Sequence, residues 1–429
     1  MNIEDLYKVY LQFPSVQTDS RKVKKGDLFF ALTGPSFNGN AFATAALENG
    51  ASFAVVDQKK FALDDRYILV EDALSCLQKL ATHHRLQFNI PFIAITGSNG
   101  KTTTKELITA VLQKMYRTYA TEGNLNNHIG VPLTLLKIKP DAEMAVIEMG
   151  ANHLKEIESY CQLALPTYGI ITNCGKAHIE GFGGEEGVRK GKGELYDYLR
   201  LNGGSVFRNA DLQYLEEMAK GITTQITYGS SNAKYLGKPL INDTFLKLAI
   251  LTSGSETTIT SNLVGDYNFP NVMVAVAVGL HFGISIDDVR EALESYVPDN
   301  SRSQFMQIGS NRVLLDAYNA NPSSMRAAIS NFAGSEVKDK RLWLGGMKEM
   351  GTEEANEHQD LLDFIKEYEW SEVILVGKEF KGISEGFQWF ENSAEAAEHV
   401  RNHRPKDATI LIKGSRGSKM ENLLSALQP

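Results

Sequence analysis

The sequence predicts an α/β protein built around a nucleotide-binding loop, and residues 91–105 carry most of that prediction. Phe92–Thr96 is an apolar, β-branched run typical of a buried strand, and GSNG (97–100) is a tight glycine turn. From Lys101 to Met115, apolar residues recur at helical spacing. A strand, a glycine loop and a helix in this order form a phosphate cradle, which favours a nucleotide site over an incidental glycine turn.

Each position of this loop has a predicted role. Backbone N–H groups of the turn point at phosphates, Lys101 reaches the β and γ oxygens, and the hydroxyl of Thr102 is suited to Mg²⁺. The full eight-residue Walker pattern is absent, since Ile95 stands where its first glycine would be. The expected nucleotide contacts in the loop are Gly97, Ser98, Asn99, Gly100, Lys101, Thr102 and Thr103.

Length and composition predict a cytoplasmic chain of two or three domains. Its 429 residues include 52 acidic and 44 basic ones, a net charge of −8 that predicts no nucleic-acid partner. The N-terminus has no apolar signal core, and the apolar run Val272–Phe282 is too short to span a bilayer. The widely spaced Cys76, Cys161 and Cys174 are expected to be buried, reduced thiols.

Further polar residues follow predicted strands of the central region. Glu148 ends the apolar strand Met144–Ile147, at the edge where open α/β sheets bind ligands, which predicts a Mg²⁺ ligand. His178 follows the predicted strand Tyr168–Asn173, and structural and ligand roles are both open for it. By spacing alone, Lys192 is one of several lysines on a helix surface.

Beyond residue 200 the central region changes character. Phe245–Leu251 and Thr257–Leu263 alternate apolar and polar residues around the turn 253–255, which predicts an antiparallel hairpin added to a parallel sheet. Asn268 precedes a strongly apolar helix that it could cap. The polar segment 298–302 is interpreted as a hinge, and the last domain boundary is placed there.

The N-terminal 85 residues are interpreted as a small α/β unit, with a helix over 41–48 and strands over 27–32 and 52–56. Their polar turn, Asp19-Ser20-Arg21, could bind a phosphate or a sugar nucleotide through the forked donors of arginine. It could equally be a capped turn with a surface arginine, and the local sequence favours this second interpretation.

Strands and helices alternate regularly in the C-terminal region, which predicts a doubly wound parallel sheet. The predicted strands are 312–315, 341–344, 372–376 and 409–412, and the predicted helices are 323–332, 353–368, 394–403 and 418–427. Polar loops follow three of these strands, beginning at Asp316, Gly345 and Lys413, and they indicate a second ligand face.

Taken together, these loops resemble the Mur ligase family of ATP-dependent amide ligases along essentially the whole chain. The motifs that carry the resemblance are TGSNGKTTTKE (96–106), GNLNNHIGVPLTLL (123–136), AVIEMGANHLKEI (145–157), AHIEGFGGEEGVRKGKGELY (177–196), DAYNANPSSM (316–325) and KGSRGSKME (413–421). The resemblance implies an α/β, three-domain architecture. Residues 1–85 would bind the UDP substrate, 86–297 would be a P-loop ATPase with an antiparallel addition, and 298–429 would be Rossmann-like and bind the incoming dipeptide.

The resemblance also implies roles for individual residues. Asn268 and Asn271 would hold adenine, Asp316 the ribose and Arg302 the γ-phosphate, while Thr102 and Glu148 would serve one Mg²⁺ and His178 a second. By the same likeness the catalytic residues would be Lys101, His178, Lys192 and Arg302. The substrate-binding residues would be Asp19, Ser20, Arg21, Asn127, Tyr318, Asn319, Lys413 and Arg416.

Lys192 lies fourteen residues after His178, where the family carries a carbamylated lysine. Charge favours that modification, because a protonated amine about 4 Å from Mg²⁺ would be repelled by roughly 8 kcal/mol at an effective dielectric constant of about 20. Addition of CO₂ converts the cation into an anion able to orient the metal.

The Asn-rich segment, AHIEGFG and YNANP resemble the family member that adds D-alanyl-D-alanine. The implied substrates are UDP-N-acetylmuramoyl-tripeptide, D-alanyl-D-alanine and ATP with two Mg²⁺ ions, and a monomer is expected. One alternative is another ligase of this fold, such as a folylpolyglutamate synthetase or a different amino-acid-adding Mur enzyme. A second alternative, from another class, is an ATP-binding switch that carries out no ligation.

Overall fold

The computed structural model describes residues 1–240, 245–252, 254–299 and 302–428, and it is an α/β structure with three main sheets, as expected. Ser253 of the predicted hairpin turn and residues 300 and 301 of the predicted hinge lie outside these ranges. Within them, no helix combines the length and the apolar character needed to cross a membrane.

The first sheet has four parallel strands in the order β1-β2-β5-β6, and β3 and β4 form a separate two-stranded ribbon. The predicted strands and helix of this region are confirmed with shorter bounds. Its elements are α1 (Ile3–Gln12), β1 (Val16–Gln17), β2 (Leu28–Phe30), β3 (Thr33–Gly34), β4 (Phe37–Asn38), α2 (Ala43–Glu48), β5 (Phe53–Val56), β6 (Tyr67–Leu69) and α3 (Ala73–Arg85).

The second sheet has nine strands in the order β15-β14-β13-β12-β11-β10-β7-β9-β8. It is parallel from β8 to β13, and β14 and β15 add to it antiparallel, which confirms the predicted hairpin. Its elements are β7 (Phe92–Thr96), α4 (Lys101–Leu112), β8 (Thr118–Ala120), α5 (Gly130–Leu136), β9 (Met144–Glu148), α6 (Glu156–Ala164), β10 (Tyr168–Ile171), α7 (Ile179–Phe182), α8 (Glu185–Leu201), β11 (Ser205–Asn209), α9 (Gln213–Met218), β12 (Thr224–Gly229), β13 (Tyr235–Leu240), β14 (Phe245–Thr252), β15 (Ser255–Val264), α10 (Phe269–His281) and α11 (Ile286–Ser295).

Two helices of this unit show how packing determines their ends and their composition. Helix α4 ends at Leu112, and Met115, which the helical pattern included, is exposed beyond it. Helix α10 is apolar on nearly all sides because it packs between the sheet and helices α4 and α11, as expected of a helix with no face in water.

The third sheet has six strands in the order β16-β17-β21-β18-β19-β20. It is parallel except for β16, so the doubly wound prediction is confirmed, and β16 and β20 are additional strands. The last helix begins at Asn422, later than the sequence pattern predicted. The elements are β16 (Gln304–Ile308), β17 (Asn311–Asp316), α12 (Pro322–Gly334), β18 (Lys340–Gly345), α13 (Glu354–Ile365), β19 (Glu372–Val376), β20 (Gln388–Phe390), α14 (Ser393–Asn402), β21 (Thr409–Lys413) and α15 (Asn422–Leu427).

This topology determines where the polar loops meet. Strands β9, β7 and β10 are neighbours, so their carboxyl ends lie side by side on the central sheet. The loops after β17 and β21 of the third sheet line the same cleft as the loops after these three strands. A ligand crevice at the carboxyl ends of parallel strands is the usual arrangement in open α/β sheets.

Candidate active site between the second and third sheets

The loop after β7 requires glycine at two positions. Gly97 and Gly100 have φ values of +143° and +79°. A Cβ atom at Gly97 would lie 2.0 Å from Oγ1 of Thr172, and one at Gly100 would lie 2.5 Å from Oδ1 of Asn271. The loop is also tied to the end of β10, because Thr172 Oγ1 donates to the carbonyl oxygen of Asn99 at 2.6 Å. The phosphate cradle is therefore held in place by its neighbours.

Lys101 is folded back onto this loop. Its Nζ donates to the carbonyl oxygens of Gly97 at 2.7 Å and Ser98 at 3.2 Å. Burial lowers the pKa of Lys101 to about 8, with Glu148 opposing the shift and Arg302 adding to it. An anionic phosphate oxygen would accept a stronger hydrogen bond from this amine than either carbonyl does.

Glu148 is buried at the end of β9, and only one of its two carboxylate oxygens has hydrogen-bond partners in the described residues. Its Oε1 accepts from Thr102 Oγ1 at 3.1 Å and from Asn126 Nδ2 at 2.8 Å. Its Oε2 is buried and has no hydrogen-bond partner in the described residues. Leaving a buried carboxylate oxygen unpaired is costly, so this oxygen and the Thr102 hydroxyl fit a hard cation that prefers oxygen ligands.

His178 and Lys192 lie on two further segments of the central unit. His178 precedes α7 in the left-handed backbone region, and its Nδ1 makes a close contact with a carboxylate oxygen of Glu349, without hydrogen-bond alignment. Lys192 is fully buried, so the prediction from spacing that it lies on a helix surface is wrong. Its Nζ donates to the carbonyl oxygen of Ala151 at 2.9 Å and lies 4.9 Å from the centre of the Phe182 ring.

Burial lowers the pKa of Lys192 to about 7, and the charge of Lys101 adds to the shift. A large fraction of this amine is therefore neutral at physiological pH, and the neutral amine is the form that adds CO₂. No group of three or more histidine, cysteine or carboxylate side chains is arranged for a metal in the described ranges. Glu148, His178 and Lys192 thus do not form a complete metal site by themselves.

Asn268 and Asn271 form a buried pair at the start of α10. Asn268 Nδ2 donates to the carbonyl oxygen of Val264 at 2.9 Å, and its Oδ1 accepts from Asn271 Nδ2 at 3.0 Å. Thr104 Oγ1 donates to Asn271 Oδ1 at 3.2 Å. Asn268 makes no side-chain capping bond, so its interpretation as a helix cap is wrong. The pair instead links α10 to the helix that follows the phosphate loop.

The third sheet contributes a cationic wall. The Arg302 guanidinium stacks 3.8 Å from the centre of the Tyr318 ring, and Arg416 lies 5.7 Å from the same ring. Nε of Arg302 is buried and has no hydrogen-bond partner in the part of the chain that the structure describes. Asp316 forms a close ion pair with the buried Lys413. This wall suits an anionic ligand, and the tyrosine ring holds the arginine planes in place.

The cleft between these walls has a volume of about 950 Å³. Most residues singled out in the sequence line it: Ser98, Asn99, Gly100, Lys101, Thr102, Thr103, Asn127, Glu148, His178, Asn268, Asn271, Arg302, Asp316, Tyr318, Asn319, Lys413 and Arg416. Lys192 lies behind Ala151, which lines the cleft. The cleft is also lined by Asn126 and Glu349, which were not predicted as site residues. The asparagine-rich segment was the only sequence signal for Asn126, and no local pattern indicated Glu349.

In the part of the chain that the structure describes, the cleft is not lined by Asp19, Ser20 or Arg21. Arg21 forks onto the carboxylate of Asp19, with Nε and one terminal nitrogen each 2.9 Å from an oxygen, and its side chain is exposed. This geometry matches the capped turn with a surface arginine that the local sequence favoured. The contact with a uridine diphosphate group stays a prediction.

Asn127 and Asn319 make short-range bonds as well as lining the cleft. Asn127 Oδ1 accepts from the backbone of Ile129 and Gly130 at the start of α5, and Asn319 Oδ1 accepts from Ala320 N at 2.9 Å. Their substrate-binding roles stay predictions too.

Comparison with known proteins identifies the class to which this fold and site belong. Three family descriptions match: "Mur ligase family, catalytic domain" over residues 12–85, "Mur ligase middle domain" over 95–279 and "Mur ligase, glutamate ligase domain" over 301–416. The three matches follow one another along the chain and together span most of it. The chain belongs to the Mur ligase family.

Among its relatives are proteins named UDP-N-acetylmuramoyl-tripeptide--D-alanyl-D-alanine ligase. The one from Bacillus subtilis (strain 168) is 33% identical over 96% of this chain and 92% of its own length. The one from Escherichia coli (strain K12) is 33% identical over 96% of this chain and 93% of its own length.

Solved structures agree with these relatives. A crystal structure of MurF from Acinetobacter baumannii has a TM-score of 0.88, with 29% identity over 99% of this chain and 98% of its own. A structure of the MurF ligase from Thermotoga maritima in complex with ADP has a TM-score of 0.87, with 25% identity over 97% of both chains.

Proposed function

We propose that this chain is an ATP-dependent amide ligase of peptidoglycan precursor synthesis. It joins D-alanyl-D-alanine to the terminal carboxylate of UDP-N-acetylmuramoyl-tripeptide and yields the pentapeptide, ADP and phosphate. The observation that carries the proposal is the near full-length similarity to ligases of that name. The cleft supplies the matching parts, with a phosphate loop on one wall and Arg302 and Arg416 beside the Tyr318 ring on the other.

The reaction must overcome the low reactivity of a carboxylate. An oxygen of the tripeptide carboxylate attacks the γ-phosphorus of ATP, the bond to ADP breaks, and an acyl phosphate forms. The free amine of D-alanyl-D-alanine then attacks the acyl carbon, the amine loses a proton, and phosphate leaves as the amide forms. Two anions meet in the first step, so the positive charges of Lys101 and Arg302 lower its barrier.

The nucleotide positions follow from the walls of the cleft. Lys101 would donate to the β and γ oxygens, and Arg302 to the γ-phosphate. Asn268 and Asn271 would hold adenine, and Asp316 would accept from the ribose, in exchange for its ion pair with Lys413. The third sheet already meets the second through the bond between Asn321 and Asn99, so the two walls would separate to admit ATP and close again over it, which is the usual role of domain closure in such enzymes.

We also propose two Mg²⁺ ions and a carbamylated Lys192. The unpaired Oε2 of Glu148 and the hydroxyl of Thr102 support the first ion, and the resemblance to the family supports the second, at His178. When bound, Mg²⁺ supplies positive charge that neutralises the phosphates. Burial of the Lys192 amine, which lowers its pKa to about 7, supports its modification.

The proposal extends to organisation and compartment. Three domains, 1–85, 86–297 and 298–429, are supported by three main sheets that each fall within one of these ranges. A monomer is also proposed, as the resemblance to the family implies. A cytoplasmic location is supported by Cys76, Cys161 and Cys174, which are buried and unpaired thiols.

Phosphate release from ATP tests this function. The purified protein is given ATP, Mg²⁺ and a UDP-muramoyl-tripeptide ending in lysine or diaminopimelate, together with D-alanyl-D-alanine, D-alanine or glutamate. A folate with glutamate is a further pair. Release that requires both the tripeptide and the dipeptide is expected, and the preferred tripeptide identifies the third residue. Release only with the folate pair, or ATP binding without release from any pair, would overturn the proposal.

A further inference from the structure

The turn that joins β9 to α6, residues 149–155, connects the three groups predicted to serve the metals. It begins directly after Glu148, and its Ala151 carbonyl oxygen accepts from Lys192 Nζ at 2.9 Å. Its Asn152 carbonyl oxygen packs against Gly181, three residues after His178, so closely that a Cβ there would lie 2.1 Å away. The position of this turn therefore affects all three groups.

Two carboxylates hold the turn through its backbone N–H groups. Oε2 of Glu156 accepts from Asn152 N at 2.7 Å and from His153 N at 3.1 Å. Oε1 of Glu194 accepts from Lys155 N at 2.6 Å, and its Oε2 accepts from Glu158 N at 3.0 Å. Glu156 belongs to α6 itself, whereas Glu194 comes from α8. The first turn of α6 is thus capped from another helix.

This cap replaces a local one that the chain lacks. Lys155 occupies the N-cap position of α6 in the left-handed region, with φ of +71°, and its side chain makes no capping bond. A negative carboxylate at a helix N-terminus is favourable, because the first N–H groups have no partner within the helix. Glu194 is 8% exposed, so its two oxygens are committed to these bonds rather than to water.

Helix α8 consequently contacts this region through two side chains, Lys192 and Glu194, which are two residues apart on the helix. Lys192 binds the turn at the Ala151 carbonyl oxygen, and Glu194 binds its last residue through Lys155 N and the first turn of α6 through Glu158 N. A segment fixed at both ends cannot move Glu148 without moving Lys192. The proposed reaction does not use Glu194. Among the described residues that line the cleft, Glu194 is not included.

We propose that Glu194 is a positioning residue for the divalent cation site. By capping α6 it sets the place of the 149–155 turn, and through that turn the separation of Glu148 and Lys192. The inference rests on the proposed function, which requires the cation. A purely structural role would lower the stability of the protein and leave its affinity for the cation unchanged.

Binding of Mn²⁺, used in place of Mg²⁺, separates the two roles. The full chain is saturated with ADP and titrated with Mn²⁺, and free Mn²⁺ is followed by electron paramagnetic resonance. In Glu194→Ala we expect binding about 10- to 100-fold weaker than in wild type, the usual range for loss of a residue that orients a metal ligand. The matched control is Glu158→Gln, which removes an exposed carboxylate paired with Lys155 Nζ and keeps both backbone bonds. It should bind within twofold of wild type.

Glu194→Gln keeps the inference testable if the alanine variant does not fold. Each carboxylate oxygen of Glu194 faces one backbone N–H, that of Lys155 or that of Glu158. In the glutamine variant the amide oxygen can take only one of these places, and the NH₂ group then faces the other N–H donor, so we expect weaker Mn²⁺ binding here as well. Wild-type Mn²⁺ affinity in a folded Glu194 variant with a lower unfolding temperature would overturn the inference. Failure of the wild-type protein in the phosphate-release panel would instead overturn the proposed function.

Discussion

The central sheet meets the N-terminal residues through apolar packing and meets the C-terminal sheet across a polar cleft. On the N-terminal side, helix α3 packs on α5 and α6 and helix α1 packs on α3, and the side chains of these helices share one buried cluster. Buried polar bonds reinforce the contact. Tyr10 Oη donates to the carbonyl oxygen of Leu136 at 2.5 Å, and Nε2 of His84 donates to that of Ile138 at 2.8 Å.

Arg85 completes this first interface. Its Nε donates to the carbonyl oxygen of Ala164 at 2.8 Å and a terminal nitrogen to that of Leu165 at 2.9 Å, so it caps the carboxyl end of α6. Its guanidinium lies 3.6 Å from the centre of the Phe92 ring. Burial lowers its pKa to about 10, which still leaves it protonated at neutral pH.

The second interface is crossed by polar pairs instead. Asn321 Nδ2 donates to Asn99 Oδ1 of the phosphate loop at 2.7 Å, and Lys176 Nζ lies 2.8 Å from Glu357 Oε1. Apolar contact with the third sheet's core is limited to Val264 and to Phe245, whose ring lies 5.5 Å from that of Phe305, among the residues that the structure describes. Polar pairs can exchange with substrate groups and water at little net cost, whereas apolar surface cannot be separated cheaply. The first interface therefore acts as a fixed platform, and the second is the one expected to open and close.

Replacing Lys101 on the cleft side should have the largest effect. In Lys101→Met we expect turnover to fall by about 10²- to 10³-fold, because a charge that stabilises the phosphoryl-transfer step is lost. Burial already lowers the pKa of this amine, so an apolar side chain should not lower the unfolding temperature. Phosphate release and thermal unfolding are measured together, with the exposed Lys8→Met as control. Loss of stability without loss of turnover would place the chemistry elsewhere.

The phosphate loop was predictable because its signal is local. The strand, the glycines, Lys101 and the start of the helix follow one another within fifteen residues, and each segment has its own pattern. The same holds for Glu148 at the end of an apolar strand. The parallel alternation of the third sheet was also readable, whereas β16, a partly exposed strand beside the hinge, has too weak a pattern to be distinguished from a loop.

The burial of Lys192 was not predictable from spacing. Its helix carries the exposed Lys190 close by, so the pattern indicated a surface position. Burial comes from Phe182 and Ala151, which belong to other segments and reach the lysine only in the folded chain. Asn268 is a similar case: its residue type favours capping, but the contacts with Val264 and Asn271 determine its orientation. Tertiary contacts of this kind produce no periodic pattern in the amino-acid sequence.

A pH titration of Lys192 examines the chemistry of the cleft side. CO₂ adds only to a neutral amine, and burial places the pKa of Lys192 at about 7. Below that pH the neutral fraction falls about tenfold per pH unit, so the carbamate should disappear as the pH drops from 8 to 6. Carbon-13 NMR in labelled bicarbonate measures it. Lys192→Met should lack the signal and Lys190→Met should keep it; a signal unchanged at pH 6 would contradict the prediction.

Arg85→Ala examines the platform. It removes donors from two carbonyl groups at the end of α6 and the stack on Phe92, so we expect a loss of about 2–4 kcal/mol in the free energy of unfolding. Urea denaturation measures it, and turnover at low temperature should stay within about twofold of wild type. The control is Arg66→Ala, because the exposed pair of Arg66 with Asp64 is screened by solvent and should contribute no measurable stability. Equal losses in both variants would remove the distinction between the interfaces.

The Lys176–Glu357 pair should show the smallest effect, because it crosses the interface that opens. The Lys176 side chain is 42% exposed and that of Glu357 only 8%, so solvent screens one partner. In a double-mutant cycle with Lys176→Met and Glu357→Gln, we expect a coupling energy below about 1 kcal/mol that weakens further at high salt. Unfolding in urea at low and high ionic strength measures this coupling. A coupling of several kcal/mol, insensitive to salt, would mean that the cleft is held shut as firmly as the N-terminal platform, and the third sheet could then not be the moving part.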